Sequence, residues 1–500
     1  MTVVGTRVND TMWRSWGGMT SLNVLSNRVS SGVRVAWIAV ALMSWAPIVH
    51  SQESKPRTID PMVINATDFG PRYVGILTSG MGLGSEEFGL KAGEFVIQPR
   101  FFLETAFSSN FFRVDTRDEE ELGVFSLHLR PGLAVFNPEY DVVSLNVKID
   151  GDVMVPLTED EAAFAQTNMG VRADVGATFF PRGIVSFSIE DRFVRSLWTN
   201  PALTEGEDAG NSNRNHNSLG ADVAFHPGGR AIDISLGYRW RVLRFDERQS
   251  QDRDDHHLRL LATWRFYPLT YAFLETTFDV VDYMEETQPG GNHIGGMPVR
   301  VYLGMSGYIT ERFALLGRVG YGNTLLDTEA PGEQPEDFNS VVAQLRATYR
   351  FTPKTVLHVG ASRNFDMAAF GGYRAYWRAY TTFEQQIGDL VLIHADIHYD
   401  NREFGRWQPS DLLVDPESEG GPSLAVTATK DVRRDDVLRA GLLVDFDISR
   451  LFGLSLGYRF EGIFTDYALS QERQVNDAEP SVTHYGYNEH RVFLTFNLRY

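Results

Sequence analysis

The chain closes with His490-Arg-Val-Phe-Leu-Thr-Phe-Asn-Leu-Arg-Tyr500. Val492, Leu494, Phe496, Leu498 and Tyr500 fall on one side of an extended backbone, and the mostly polar Arg491, Thr495, Asn497 and Arg499 on the other. Successive side chains of a strand point to opposite faces, so this ribbon predicts a β-strand with one apolar face.

The same two-sided pattern recurs along the chain. In 256–267, Leu258, Leu260, Ala262, Trp264 and Phe266 alternate with His257, Arg259, Thr263 and Arg265. In 141–157, Val143, Leu145, Val147 and Ile149 alternate with Ser144, Asn146, Lys148 and Asp150; in 373–385, Ala375, Trp377 and Phe383 alternate with Arg374, Arg378 and Glu384. About eighteen such segments are expected between residues 95 and 500. Short turns such as Pro181-Arg182-Gly183, Pro227-Gly228-Gly229 and Thr352-Pro353-Lys354 take turns with mostly longer polar connections, the largest being Arg402–Val432 and Ala468–Glu489.

Strict alternation of short and long connections puts all turns at one end of the sheet and all loops at the other. That is the layout of a transmembrane barrel with periplasmic turns and extracellular loops. A soluble sandwich also alternates, but turns its apolar face inward. Here that face meets lipid, where an unpaired backbone edge costs several kcal/mol per group, so the first strand is expected to pair with the last. The expected fold class is all-β, a closed antiparallel transmembrane β-barrel. An even strand number puts both of its ends on the periplasmic side. Tyr267, Tyr271, Tyr349, Phe351, Phe452 and Tyr500 near the turns, with Trp198, Tyr283 and Tyr467 near the loops, suggest two aromatic girdles.

Composition agrees with one large strand-built object: 500 residues, 12% aromatic, 45 glycines and no cysteine. Without cysteine there is no disulfide, thiolate metal site or N-terminal lipid anchor. The apolar run Val35–Val49, behind Arg28 and Arg34, reads as a secretory signal. Its length and Pro47 argue against a spanning helix, which needs about 20 apolar residues. We expect residues 1–51 to be a signal peptide, with translation starting at Met1 or Met19. Residues 52–94 are then a periplasmic N-terminal segment or plug, and 95–500 the outer-membrane barrel. A net charge of −19 excludes a general nucleic-acid binder. Acidic loop stretches such as Asp118–Glu121 suit cation-bridged contact with lipopolysaccharide and outer-membrane lipids.

A barrel of 16 to 18 strands is wide enough for an aqueous channel. Its polar face supplies the candidate pore-lining residues: Arg130, Arg172, Arg239, Arg259, Arg265, Arg346, Arg350, Arg374, Arg378, Arg459 and Arg499, with Asp150, Glu275 and Glu384. A wall of both signs, rich in arginine, suits a polar or anionic solute that slides past; the same groups also suit cross-strand pairs that only brace the wall.

Catalysis has one candidate cluster, His394, Asp396, His398 and Asp400 on a single strand face. Residues two apart on a strand are about 6 to 7 Å apart, and no third element supports them. There is no nucleophile elbow and no phosphate-binding glycine loop ahead of a helix. The chain is expected to be no enzyme and to need no cofactor. The alternatives are a barrel hydrolase or a structural, adhesive barrel.

The terminal strand ending in an aromatic residue resembles the insertion signal of bacterial outer-membrane barrels, which implies the barrel-assembly machinery as a partner. Residues 89–112, with Gly93, Pro99 and Asn110, resemble the opening strand of the putative β-barrel porin 2 family, although Ser108 and Ser109 stand where that family usually has acids. This resemblance implies a porin-like channel in the cell outer membrane, partnership with polysaccharide-export components, and polysaccharide or small polar solutes as cargo.

Overall fold

The computed structural model describes residues 89–117, 120–137, 142–196, 213–227, 231–246, 252–284, 295–327, 336–368, 372–406, 424–428, 430, 432–449, 451–473 and 481–499. The expected signal peptide, and residues 52–88 of the segment after it, lie outside the described residues.

The strands are β1 (Leu90–Ala92), β2 (Phe95–Ser108), β3 (Val124–Phe136), β4 (Val143–Leu157), β5 (Asn168–Phe179), β6 (Val185–Ser196), β7 (Arg214–Phe225) and β8 (Ile232–Phe245). They continue as β9 (Arg253–Tyr267), β10 (Thr270–Tyr283), β11 (Val299–Thr310), β12 (Phe313–Asn323), β13 (Asn339–Thr352), β14 (Thr355–Ala368), β15 (Gly372–Ile387) and β16 (Val391–Phe404). The last are β17 (Leu424–Ala428), β18 (Arg434–Phe446), β19 (Phe452–Thr465), β20 (Ala468–Arg473), β21 (Ser481–His484) and β22 (Tyr487–Arg499). Nineteen of them form one sheet. Setting aside the three-residue β1, eighteen long antiparallel strands follow one another around a closed barrel, each at the place read from the alternation.

Closure is made by β22 returning to β2, in register from Arg100↔Arg499 to Ser108↔Arg491. On the same edge of β2, β1 pairs through Leu90↔Ile97 to Ala92↔Phe95, turning on Gly93 at φ 66°. Gln98 and Pro99 therefore fall where that edge passes from one partner to the other. A proline, which has no N–H to donate, suits such a gap. Buried Asn110 then pins the first loop: its Nδ2 donates to the Val114 carbonyl at 2.8 Å, and the Val114 N–H donates to its Oδ1 at 3.0 Å.

Two features were not read from the sequence. Strands β17, β20 and β21 make a small separate sheet from the two largest loops. A helical turn, α1 (Glu161–Ala165), is capped by Asp160, whose side chain accepts from the Ala163 N–H at 2.8 Å.

The faces divide as alternation requires. Leu303, Phe125, Val319 and Trp264 are exposed on the outside, while Glu104, His128, Asp150 and Glu275 are buried on the inside. A closed barrel with an apolar exterior and a polar interior is an integral protein of the cell outer membrane. Tyr267, Tyr349, Phe351 and Phe452 stand exposed beside the short turns; Trp198 and Tyr500 lie outside the described residues. Three girdle assignments are corrected. Tyr271 and Tyr283 take the odd positions of β10, the register of Glu275 and Asp279, and so face inward. Tyr467 is buried between β19 and β20. Position along the chain had suggested them, but parity decides the face. Trp377, Tyr321 and Tyr399 take the outward places toward the loops.

Thr105 and Leu494 are partners across the closure. Cysteines placed at these two positions of the cysteine-free chain are expected to join on oxidation. Boiled protein would then run at a changed gel mobility that reductant restores; unchanged mobility would mean the barrel closes elsewhere.

Candidate functional site in the barrel interior

The candidates Arg130, Asp150, Arg172, Arg239, Arg259, Arg265, Glu275, Arg346, Arg350, Arg374, Arg378, Glu384 and Arg459 all lie in the inward register of their strands. For Arg499 only the backbone is described, opposite Arg100. These residues do not form one uniform lining. The concave wall crowds side chains together, and several charges are buried in clusters that span neighbouring strands.

One cluster sits behind the closure. Glu104 on β2, fully buried, accepts from Arg130 Nη1 at 2.7 Å and Nη2 at 3.1 Å, and from Thr495 Oγ1 on β22 at 2.9 Å. Arg130 Nε also lies 3.2 Å from Asp152, which meets His128 Nδ1 at 3.0 Å; His128 Nε2 meets Arg491 Nη2 at 3.2 Å. Side chains of β22, β2, β3 and β4 are thereby tied together from within.

A second cluster runs from the first loop along the wall. Arg113 donates to Glu489 at 2.9 Å and lies 3.7 Å from Glu461, which accepts from Arg439 at 2.9 Å. Asp400 accepts from Arg378 Nε and Nη2 at 2.6 and 2.8 Å and from Arg402 at 3.4 Å. Burial opposes the charge of Arg113, but Glu489, Tyr487 and Glu461 outweigh it and raise its pKa. In the same loop, hydrogen bonds from Arg117 hold Asp115 below the usual carboxylate range.

The opposite wall, β4 to β9, leaves its cations more open. Asp174 bridges Arg172 and Arg192, each at 2.7 Å; Arg239 pairs with Glu190, and Arg265 with Asp233 at 2.9 Å. The Arg192 and Arg265 side chains remain 51% and 47% exposed, against 18% and 19% for Asp174 and Asp233. Water inside this side of the barrel therefore meets guanidinium first and carboxylate behind it, Glu190 being the exception at 50%.

Next to this wall, over β10 to β13, the β14–β15 hairpin bends inward. Arg300 on β11 donates to the Phe365 carbonyl at 2.7 Å and lies 4.1 Å from that ring's centroid. Tyr302 donates to Asn364 at 3.2 Å. Phe365 packs with Tyr302, Phe338 and Val342, and Met367 with Val281, Tyr283 and Leu326. Phe365 and Met367 share the odd positions of β14 with exposed Val359, yet they lie on the inner wall, which a periodicity cannot show. Beneath the hairpin is a cavity of about 410 Å³ lined by Arg241, Arg259, Glu275, Asp279, Arg300 and Arg318 among others. Glu275 accepts from Arg259 at 2.8 Å and Arg318 at 2.6 Å; Asp279 meets His257 and Arg300, the latter at 3.1 Å. Arg259 Nη2, Thr277 Oγ1 and Arg300 Nε are buried there without a hydrogen-bond partner in the protein.

The His394–Asp400 face does not converge on a reacting centre. His398 is buried, 3.0 Å from Asp396 and stacked on Tyr380, while Asp400 is held by Arg378. Among the described residues, no group of three or more His, Cys, Asp or Glu side chains is arranged to hold a metal ion.

No protein-family model matches the chain. No curated protein matches it in sequence. Among solved structures it is similar to Pseudomonas aeruginosa OccK2 (OpdF) in complex with glucuronate, at 10% identity and TM-score 0.43 over 81% of this chain and 98% of that one. It is also similar to a BenF-like porin from Pseudomonas fluorescens Pf-5, at 10% identity and TM-score 0.41, covering 81% and 99%. The siderophore receptor PirA from Pseudomonas aeruginosa matches at 8% identity and TM-score 0.37, covering 81% and 80%.

Removing one partner of a buried ion pair costs about 3 to 5 kcal/mol. Glu104→Ala is therefore expected to lower the temperature at which the folded, fast-migrating gel form is lost, with Glu104→Gln lying between it and the parent. An unchanged transition for Glu104→Ala would remove the cluster's bracing role.

Proposed function

We propose that this protein is an outer-membrane channel for polar solutes, favouring anionic ones, with its passage narrowed by the β14–β15 hairpin. The observation that carries this reading is the order of charges on the β4–β9 wall, where arginines stand forward of most of their carboxylates. An anion entering such a space meets several donors in turn. Each is already partly matched by an acid, so binding stays weak enough for release, as conduction requires. The leftover donors of Arg259, Thr277 and Arg300 in the cavity beneath the hairpin extend the same path.

Polysaccharide is the cargo we favour, on the likeness of residues 89–112 to the β-barrel porin 2 family; small polar solutes are the simpler case. On this reading polysaccharide-export components are partners at the periplasmic end, and the acidic loops meet lipopolysaccharide outside. Single-channel recording in planar bilayers tests the core of the proposal. We expect stepwise conductance with a reversal potential on the anion side, moved toward cations by Arg192→Glu and Arg265→Glu together. A folded but silent barrel would overturn the channel reading, and an unmoved reversal potential the role of that wall. Block by acidic oligosaccharides, absent with neutral ones of equal length, would support the favoured cargo; block by neither would remove it.

A further inference from the structure

The outward faces of β14 and β15 end early. Phe365 and Met367 lie on the inner wall, and Tyr373 and Ala375 pack against the same inner clusters, so Arg363 and Trp377 are the last outward residues of these two strands. Their neighbours fix that direction. They are partners across the hairpin; on the other side Arg363 faces Ala343, which stands between exposed Val341 and Leu345, and Trp377 is itself exposed. Arg363 is eight positions above the start of β14, 363 − 355, and Trp377 ten above the end of β15, 387 − 377. At about 3.3 Å per residue and a tilt of about 40°, these are roughly 20 and 25 Å up an apolar band about 25 Å tall. Tyr321 and Tyr399, which belong to the outward aromatics toward the loops, are likewise eight positions up their strands, 321 − 313 and 399 − 391. Arg363 is therefore an outward cation at the level where hydrocarbon gives way to headgroups.

Other outward cations answer an acid of the protein itself: Arg195 meets Asp246 at 2.6 Å, Arg244 meets Asp254 at 2.7 Å and Arg434 meets Glu403 at 3.0 Å. Arg363 does not. Its guanidinium lies 5.1 Å from the centroid of the Trp377 ring, and among the described residues neither it nor the indole N–H has a hydrogen-bond partner. Along the row of strand partners that runs on through Trp377 and Asn401, the first acid is Asp436. It stands three strands away, about 14 Å at about 4.8 Å per strand. Its Oδ1 already accepts from Tyr399 at 2.6 Å and Asn401 at 2.8 Å. An aromatic ring against one face of a guanidinium attracts the charge and leaves the N–H fork at its edge free to bind.

We propose that Arg363, held on Trp377, binds a phosphate of the lipid A base of lipopolysaccharide in the outer leaflet. The long loops mark the extracellular end of the barrel, so the anion that stands at this level outside the wall is the phosphate of that glycolipid. A planar guanidinium matches two phosphate oxygens at once, and the Trp377 N–H is a further donor beside it. Val341, Leu345 and Val359, all exposed below or beside the pair, offer apolar wall to the acyl chains of the same molecule. Acidic loops reach lipopolysaccharide only through a bridging divalent cation, whereas this contact is direct. It requires no conduction and so stands apart from the channel reading.

Native mass spectrometry of the detergent-solubilised barrel with added lipid A, in EDTA so that cation bridges are removed, tests this. We expect an adduct of one lipid with bisphosphorylated lipid A, weakened about tenfold when the phosphates have been removed from the glycolipid, the scale of one charge-assisted contact. Arg363→Gln is expected to weaken the bisphosphorylated adduct by a similar factor and Arg363→Lys by less, while Arg434→Gln, whose charge the protein already matches, leaves it unchanged. Unboiled gel mobility reports that each variant is folded, and the comparison of the two lipids on the parent protein needs no variant. Equal binding of the phosphorylated and dephosphorylated lipids, loss of the adduct in EDTA, an unweakened Arg363→Gln protein, or an equal loss in Arg434→Gln would each overturn the proposal.

Discussion

Every backbone N–H and C=O that crosses hydrocarbon must find a partner within the protein, and the rest of this structure depends on that constraint. It forbids a free edge, so β2 and β22 meet although nearly the whole barrel sequence separates them. The constraint reaches into detail at the periplasmic end, where β1 covers the part of the β2 edge that β22 does not reach. Proline 99 falls in the interval between these two partners, where the loss of one donor matters least.

Closure also decides what the inside becomes. With apolar side chains turned to lipid, the polar half of each strand is pressed onto a concave wall, and charges there survive by pairing. Glu104 with Arg130 and Asp400 with Arg378 are matched so fully that they brace the wall. Arg192 and Arg265 are matched less completely and remain open to water. Bracing and solute recognition are thus two ends of one scale set by burial, on the same kind of residue.

Much of the fold was legible because a lipid-facing barrel repeats a period of two with few exceptions. Leu258, Leu260 and Trp264 announce β9 without help from any other part of the chain. What was not legible depended on parity or on distance. Tyr271 and Tyr283 sit at girdle height but on inward positions of β10. Phe365 and Met367 continue the outward alternation of β14, yet the bend of the hairpin brings them onto Tyr302, Val342 and Val281. The candidate arginines were found by alternation, but not their partners: Glu104 and Arg491 are 387 positions apart by number, 491 − 104, and only the closed sheet brings them within 3.5 Å.

The burial of Glu104 has a consequence for biogenesis. Two of its partners, Thr495 and Arg491, stand on β22, and a third, Arg130, on β3, so only the closed sheet completes the set around this carboxylate. A polypeptide truncated before residue 491 would leave Glu104 with Arg130 alone on the inner side of an unfinished seam. Joining β22 to β2 therefore supplies side-chain partners along with backbone ones, and both favour the closed sheet over an open one.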